Sequence, residues 1–443
     1  MTIPKQEQSA SVPQAKQAEE SYDYLRWWWT EGSVWTERML VALEKGVKGG
    51  KWYSLIDKVY NPSNLQSAFG KVRANGGASG VDHQSVEHFE KELARNIARL
   101  SDELQKGTYV PQAVRRVWIP KPGTSEQRPL GIPTIRDRVV QGALRNVLEP
   151  IFERDFAEHS YGFRRLRGCE GALDRVRDLL KQGYTHVVDV DLKGYFDSIP
   201  HDRLLAEVGR KVTDERILGL LRQFLIAGIR DGLDEQTPER GTPQGAVISP
   251  LLSNIYLDPL DHVMAGLGYE MVRYADDFVV MCRSRAAAEA ALEAIRCWTV
   301  EADLVLHPTK TRLVEATVQN GFDFLGYHFR SHKQWPREKS MAKMRETIRT
   351  KTRRLDGRSL GQIVIDLNST LIGWYGYFRR SAGQTFRTVD QFVRGRLRNL
   401  LRKRLKLPGL STRTDQQRWP NPYFADQGLV SLRQTWERHN QSC

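Results

Sequence analysis

Residues Met271 to Met281 read MVRYADDFVVM, with Asp276 and Asp277 wedged between two short apolar β-type runs. Adjacent carboxylates repel, and keeping them beside buried strands is costly unless they share a cation. Magnesium suits such a pair, because it takes hard oxygen ligands and shares them with substrate phosphates. Taken alone, the pair is equally compatible with a solvated turn.

A second source of carboxylates lies upstream in VVDVDLKGYFD, Val187 to Asp197. Asp189 and Asp191 alternate along an expected strand and so face the same way. At the end of that strand, Asp191 can meet an Asp-Asp turn from a neighbouring hairpin. Three carboxylates would then surround two metal ions about 3.5 to 4 Å apart, the arrangement that supports in-line displacement at phosphorus. The same alternation also suits an exposed strand face. Between the two acidic stretches runs RGTPQGAVISPLLSNIYL, Arg240 to Leu257. Gly241, Pro243 and Gly245 make a tight loop, and Ser249-Pro250 suits a helix start. Gln244, flanked by glycine, can approach a base pair closely; as a bare loop before a helix the stretch would be structural.

The 443 residues suggest about three domains by length, enough chain for at least one full core. The formal charge is +14, with a pI near 9.6. From Arg337 to Lys406 there are 19 Lys or Arg against 5 Asp or Glu, a difference that equals the whole +14. A neutral body with a strongly basic helical final quarter has the charge pattern of a phosphate-backbone footprint. Four scattered cysteines with no CxxC pair argue for a reducing compartment and against a zinc-bearing nuclease module. No apolar run reaches membrane-spanning length and no signal-peptide pattern opens the chain, so an intracellular, cytoplasmic protein with no membrane association is expected.

The expected fold class is α+β, because helices and short strands mix without a strict βαβ rhythm and imply a largely antiparallel sheet. Helical patterning recurs at 85–105, 136–156, 170–181, 202–227 and 286–302. Strands are expected at 113–119, 186–191, 271–273, 278–281, 312–314 and 322–329. Residues 1–20 are polar and expected to be disordered. Trp27, Trp28 and Trp29 suit a core or a seam, less readily a base-stacking platform. After Arg337 the pattern is helical and basic, with Arg394, Arg398 and Arg402 four apart. Like charges at that spacing destabilise an isolated helix, so a polyanion partner would explain the row.

Nine blocks in order resemble the group II intron reverse transcriptase and maturase family of the bacterial kind: NGGASGVD (75–82), VRRVWIPKPGTSEQRPLGIPTIRDRVVQ (114–141), SYGFR (160–164), DLKGYFDSIPH (191–201), GTPQGAVISPLLSNIYL, RYADD, LHPTKT (306–311), FDFLGYHF (322–329) and LIGWYGYFRR (371–380). The resemblance implies a right-hand polymerase: an N-terminal helical extension at 21–54, fingers and palm at 55–330, a helical thumb or maturase domain at 331–410 and an extension at 411–443. It implies that Asp191, Asp276 and Asp277 hold two magnesium ions, for which manganese could substitute. Lys121 and Arg128 would contact the incoming triphosphate. Phe196 would exclude a ribose 2′-hydroxyl, Gln244 would sit by the nascent pair, and Lys310 near the leaving phosphate. FDFLGYHF would be a primer-gripping hairpin, and Arg379, Arg380, Arg394, Arg398 and Arg402 would meet nucleic acid. The implied partners are an RNA template, a DNA primer, group II intron RNA and a DNA target. The chain departs from larger family members in having no Cys/His-bearing endonuclease after Leu432, so primers made elsewhere would be needed. Two rival readings are an RNA-binding splicing cofactor with an idle polymerase, and a host-adapted reverse transcriptase in repair or antiviral defence.

Overall fold

Hydrophobic period translates into elements along most of the chain, as seen in a computed structural model that describes residues 26–120, 127–232, 234–317, 321–354, 356–410 and 412–441. The segment expected to be disordered, 1–20, the first residues of the helical extension and Lys121 lie outside the described residues. From Pro62 the order is α1 (Pro62–Asn75), α2 (Leu93–Lys106), β1 (Val114–Pro120), β2 (Gln127–Ile132), α3 (Ile135–Glu153), α4 (Cys169–Lys181) and β3 (His186–Asp191). Next come α5 (His201–Gly209), α6 (Glu215–Ile226), β4 (Ile229–Asp231), β5 (Asp234–Gln236), α7 (Ser249–Gly266), β6 (Glu270–Tyr274), β7 (Asp277–Cys282) and α8 (Arg285–Glu301). The last stretch holds β8 (Arg312–Glu315), β9 (Phe322–Phe324), β10 (Tyr327–Arg330), β11 (Lys333–Pro336), α9 (Glu338–Lys351), α10 (Leu360–Phe378), α11 (Gly383–Arg404), α12 (Asn421–Asp426) and α13 (Leu432–Gln441).

Two units interleave along this order. One takes the chain up to Ala172 with Val190–Asp276 and Leu292–Lys310; the other takes Leu173–Asp189, Asp277–Ala291 and everything from Thr311 onward. In the first unit, α3 is buried around most of its circumference, with Val139, Val140, Ala143, Leu144 and Val147 fully enclosed. A four-stranded sheet of order β2-β1-β4-β5 belongs to the same unit. Its β1–β2 and β4–β5 pairs are antiparallel as expected, but β1 and β4 run parallel. Trp27 is core, whereas Trp28 is 69% exposed.

In the second unit, β7, β3 and β8 lie side by side. A separate antiparallel sheet runs β11-β10-β9. The basic C-terminal region is helical, and its core is built from residues at helical spacing. Ile363, Leu367 and Leu371 of α10 meet Phe386, Val389, Val393, Leu397 and Leu400 of α11, with Phe424 and Leu432 closing the cluster.

Three expected single elements are broken: the helix expected at 85–105 is interrupted at Glu92, between Val86–Lys91 and α2, and two others break for local reasons. The helix expected at 202–227 divides at Asp214, whose carboxylate accepts from Arg216 N and Ile217 N at 3.0 and 3.3 Å and so caps α6. The other oxygen of Asp214 accepts from Leu55 N and Ile56 N at 2.6 and 2.9 Å, tying the break to a distant segment. The strand expected at 322–329 is two, with Leu325 and Gly326 both in the left-handed region at the turn. β2 was not expected at all, because QRPLGI carries a proline and a glycine that speak against a strand.

Candidate active site

The turn bearing the adjacent aspartates is held from beneath by a buried arginine. Arg273, near the end of β6, has no solvent exposure and pairs with Asp261 of α7, its Nε donating to the two carboxylate oxygens at 2.8 and 3.0 Å. The same guanidinium donates to Asn254 Oδ1 and to the carbonyl of Ala275, both at 3.0 Å. Ala275 takes φ +59°, a left-handed conformation that few side chains adopt. The Arg273 bond to its carbonyl offsets that strain and sets the direction in which Asp276 leaves the turn.

A second support comes from SYGFR. Tyr161 N donates to Arg273 O at 2.8 Å, Arg273 N donates to His159 O at 3.0 Å, and Asn254 Nδ2 donates to Gly162 O at 2.7 Å. A Cβ on Gly162 would come within 2.8 Å of the Tyr274 carbonyl carbon, so only glycine permits this approach.

Asp191 and Asp276 belong to the same unit, and the charge of Asp191 is felt at Asp276. Burial pushes the Asp276 carboxyl above the usual range, and the charge of Asp191 pushes the same way, against Arg128 and Arg273. On Asp191 sits Lys310, its Nζ 3.3 Å from the nearer carboxylate oxygen. Asp189 is taken up elsewhere, in an ion pair with Arg312 at 3.0 Å across the β3–β8 ladder. The two aspartates of the DVD stretch therefore have different partners. Asp277 begins β7 and is exposed. Among the described residues no three His, Cys, Asp or Glu side chains already converge as metal ligands. The donor chemistry nonetheless fits a hard cation: oxygens only, two neighbouring carboxylates, and a lysine ammonium already drawn to one of them.

The GTPQG loop packs against β2, which carries Arg128. Gly131 N donates to Gln244 O at 2.6 Å, and a Cβ on Gly245, where φ is +105°, would lie 2.6 Å from Gly131 O. Arg128 Nε donates to Gln244 Oε1 at 2.7 Å, and Gln244 Nε2 reaches Asp197 Oδ2 at 3.4 Å. Phe196 is buried, and its carbonyl accepts from Thr242 N at 2.7 Å. Arg128, Phe196 and Gln244 are thus brought together with Asp197, while Lys310 and Asp276 share Asp191 as a neighbour.

The basic row of α11 is not the continuous outward face that its spacing suggests. Arg398 is buried, donates to Trp419 O and Asn421 Oδ1 at 3.0 Å, and lies over the Phe424 ring. Arg402 pairs with Asp415 at 2.9 Å. Both arginines staple α11 to the segment that follows it, so these two side chains need no polyanion to offset their charge. Arg394 is partly buried near Asp390. Arg380 pairs with Asp174 of α4 at 2.6 Å. Of the nearby aromatic residues, Tyr375 and Phe378 are core, whereas Tyr377 is 41% exposed.

Sequence reasoning missed Arg273, Asp261, Asn254 and Asp197. One signal was available: an arginine inside an apolar strand pattern must find a carboxylate when buried. Its partner, twelve residues upstream on a helix, carries no such mark.

Comparison with known proteins gives a consistent set of matches. Residues 119–329 match the family described as Reverse transcriptase (RNA-dependent DNA polymerase), and residues 341–419 match the Group II intron, maturase-specific domain. The group II intron-encoded protein LtrA of Lactococcus lactis subsp. cremoris is 39% identical over 202 residues, which are 45% of this chain and 33% of LtrA. Protein YkfC of Escherichia coli (strain K12) is 36% identical over 316 residues, 62% of this chain and 82% of YkfC. The chain thus matches about a third of the length of the first relative and most of the second. A solved chain titled "Partial Cas6-RT-Cas1--Cas2 complex" is 24% identical over 56% of this chain and 42% of its own, with a TM-score of 0.37, too distant to carry weight.

Proposed function

The chain belongs to the reverse transcriptases that carry a group II intron maturase-specific domain, and we propose that it is an RNA-directed DNA polymerase adding deoxynucleotides to a primer 3′-hydroxyl. The observation that supports this reading is that Asp191 lies near enough to Asp276 for its charge to raise that carboxyl, with Arg128 acting on the same carboxyl in the opposite sense. Asp191, Asp276 and Asp277 are the residues that would hold two magnesium ions, with manganese as a substitute. The chemistry supplied by such ions is charge neutralisation at the attacking and departing oxygens of an in-line phosphoryl transfer.

Every other part is performed by the chain itself. Arg273 fixes the turn so that Asp276 presents its carboxylate without reorganising. Arg128, and Lys121 from the segment outside the described residues, would neutralise the incoming triphosphate. By holding Gln244 Oε1, Arg128 also fixes the amide that would lie under the nascent base pair. The Phe196 ring would reject a 2′-hydroxyl by clash and by leaving it unpaired. Lys310, drawn to Asp191 in this state, would be available to the departing pyrophosphate.

For the domain plan, fingers and palm would span 55–330 and the thumb or maturase domain 331–410. The maturase-specific match at 341–419 favours a second, noncatalytic activity, binding group II intron RNA and aiding its splicing, with mobility into DNA as its consequence. Among the described residues no helix is long and apolar enough to cross a membrane.

Primer extension tests the proposal. Purified protein, a DNA primer annealed to an RNA template, magnesium and four deoxynucleotides should give full-length complementary DNA. A protein that binds intron RNA and promotes splicing, yet extends no primer with magnesium or manganese, would overturn the polymerase assignment in favour of a splicing cofactor.

A further inference from the structure

The second unit contains a cavity of about 530 Å³ walled by α4, β11, the turn between α10 and α11, and α13. Four permanent cations line it, Arg177, Lys333, Arg379 and Arg380, against the single carboxylate of Asp174. Asp174 accepts from Arg380 Nε and Nη2 at 2.8 and 2.6 Å and pairs with Arg177 at 3.0 Å. Burial pulls its carboxyl upward, but the bonds and charges of Arg380, Arg177 and Arg379 outweigh this and leave it below the usual range. Arg177 also meets Asp178, outside the lining, at 3.4 Å, so two carboxylates are shared among four cations and the cavity keeps a net positive charge, a setting that favours a further anion.

Two further atoms point to the same conclusion from a different direction. Ser381 is 2% exposed and its Oγ has no hydrogen-bond partner; Gln334 is 7% exposed and its Oε1 has none either. Both residues line the cavity. Gln334 is already anchored through Nε2, which donates to Arg380 O at 3.1 Å. Its amide oxygen is therefore an oriented acceptor, and Ser381 offers a hydroxyl donor. Buried polar atoms are costly to leave unpaired, so a ligand that both accepts and donates is implied. Trp436 completes the wall with an apolar ring.

We propose that this cavity binds one nucleotide of an RNA strand. The phosphate lies among Arg177, Lys333 and Arg379 and accepts from the Ser381 hydroxyl. The ribose 2′-hydroxyl donates to Gln334 Oε1, and the base rests against Trp436. A phosphopeptide could also supply an anion, but a site made for one would show no preference between RNA and DNA probes, and its occupant would not be displaced by RNA in proportion to its salt dependence. The inference rests on the RNA-binding reading above, and it specifies where one nucleotide is held and why RNA is preferred to DNA.

Fluorescence anisotropy on the full chain tests it, with a twelve-nucleotide single-stranded RNA and the DNA of the same sequence as probes. Lys333 is exposed, so Lys333→Glu and Lys333→Gln should fold, which matching thermal melts would verify. Lys333→Glu should weaken RNA binding roughly tenfold in moderate salt and lower the slope of log K against log salt by about one, with Lys333→Gln in between. Gln334→Met should remove most of the preference for RNA over DNA. Wild-type affinity and salt slope in both Lys333 variants would overturn the pocket. An unchanged RNA preference in Gln334→Met would overturn the ribose contact. Competition by millimolar inorganic phosphate alone, with RNA affinity intact in the Lys333 variants, would mean a free-anion site and would also overturn the proposal. Extension of an RNA-templated primer by the wild-type protein is read separately, so failure of the polymerase reading is not confused with failure of this one.

Discussion

Arg273 shows how the turn that bears Asp276 can depend on a side chain with no solvent exposure. With side-chain exposures of 0% and 5%, the Arg273–Asp261 pair is taken wholly out of water, and each charge is tolerable only because of the other. Arg273→Ala should therefore destabilise the fold by about 3 to 5 kcal/mol by leaving Asp261 buried and unpaired, measurable by urea denaturation. A loss below about 1 kcal/mol, the range of exposed pairs, would contradict the account. At Phe196 the expected effect is on selectivity. Phe196→Ala should raise ribonucleotide incorporation relative to deoxynucleotide by roughly 10- to 100-fold in single-nucleotide extension, since a small pocket change is worth a few kcal/mol. The carboxylates themselves were legible in the sequence, because Asp-Asp between apolar runs is chemically conspicuous. Their supports were not, since Asp261 and Asn254 sit on α7 as unremarkable polar residues and become partners of Arg273 only once the helix and β6 fold together.

Elements carry the second lesson, that spacing predicts a face but not what the face meets. Helical period placed α3, α4 and α8 to within a few residues and marked the region after Arg337 as helical without dividing it into helices, and β3 was given to the residue. The same period put Arg394, Arg398 and Arg402 in one row, and the row exists. Two of its members nevertheless turn inward to Trp419 O, Asn421 and Asp415. Periodicity cannot see a segment that returns to cover the helix twenty residues later. Arg402→Gln should accordingly lower stability by about 1 to 3 kcal/mol, as expected for loss of a partly buried charged hydrogen bond. It should leave the salt slope of RNA binding unchanged; a slope reduced by one would restore Arg402 to the nucleic-acid face. Gly162→Ala tests the support that SYGFR gives the turn. Its Cβ would press on Tyr274 and Ala275, so kcat should fall at least tenfold or so, while RNA affinity holds, if a displacement of a few tenths of an ångström matters there. Equal kcat in the variant would show that the turn is held without it.

At the scale of the whole molecule, charge and chemistry are separated along the chain. The carboxylates, Arg128 and Gln244 lie upstream in a stretch that is neutral on balance, and the +14 resides between Arg337 and Lys406. That separation was readable from composition alone, and it supports a division in which one part reacts and another grips RNA. What composition could not give is the interleaving of the two compact units, because chain crossings are set by contacts far apart in sequence. Binding of RNA should consequently survive loss of the chemistry. The central claim is that Asp276 serves phosphoryl transfer, and single-turnover primer extension by Asp276→Asn on an RNA template, at primer–template concentrations saturating for both proteins, tests it most directly. The account predicts a rate reduced roughly 10³-fold or more, the loss expected when several kcal/mol of transition-state charge stabilisation disappear, with RNA affinity and thermal melting unchanged. Extension by Asp276→Asn at the wild-type rate would contradict it.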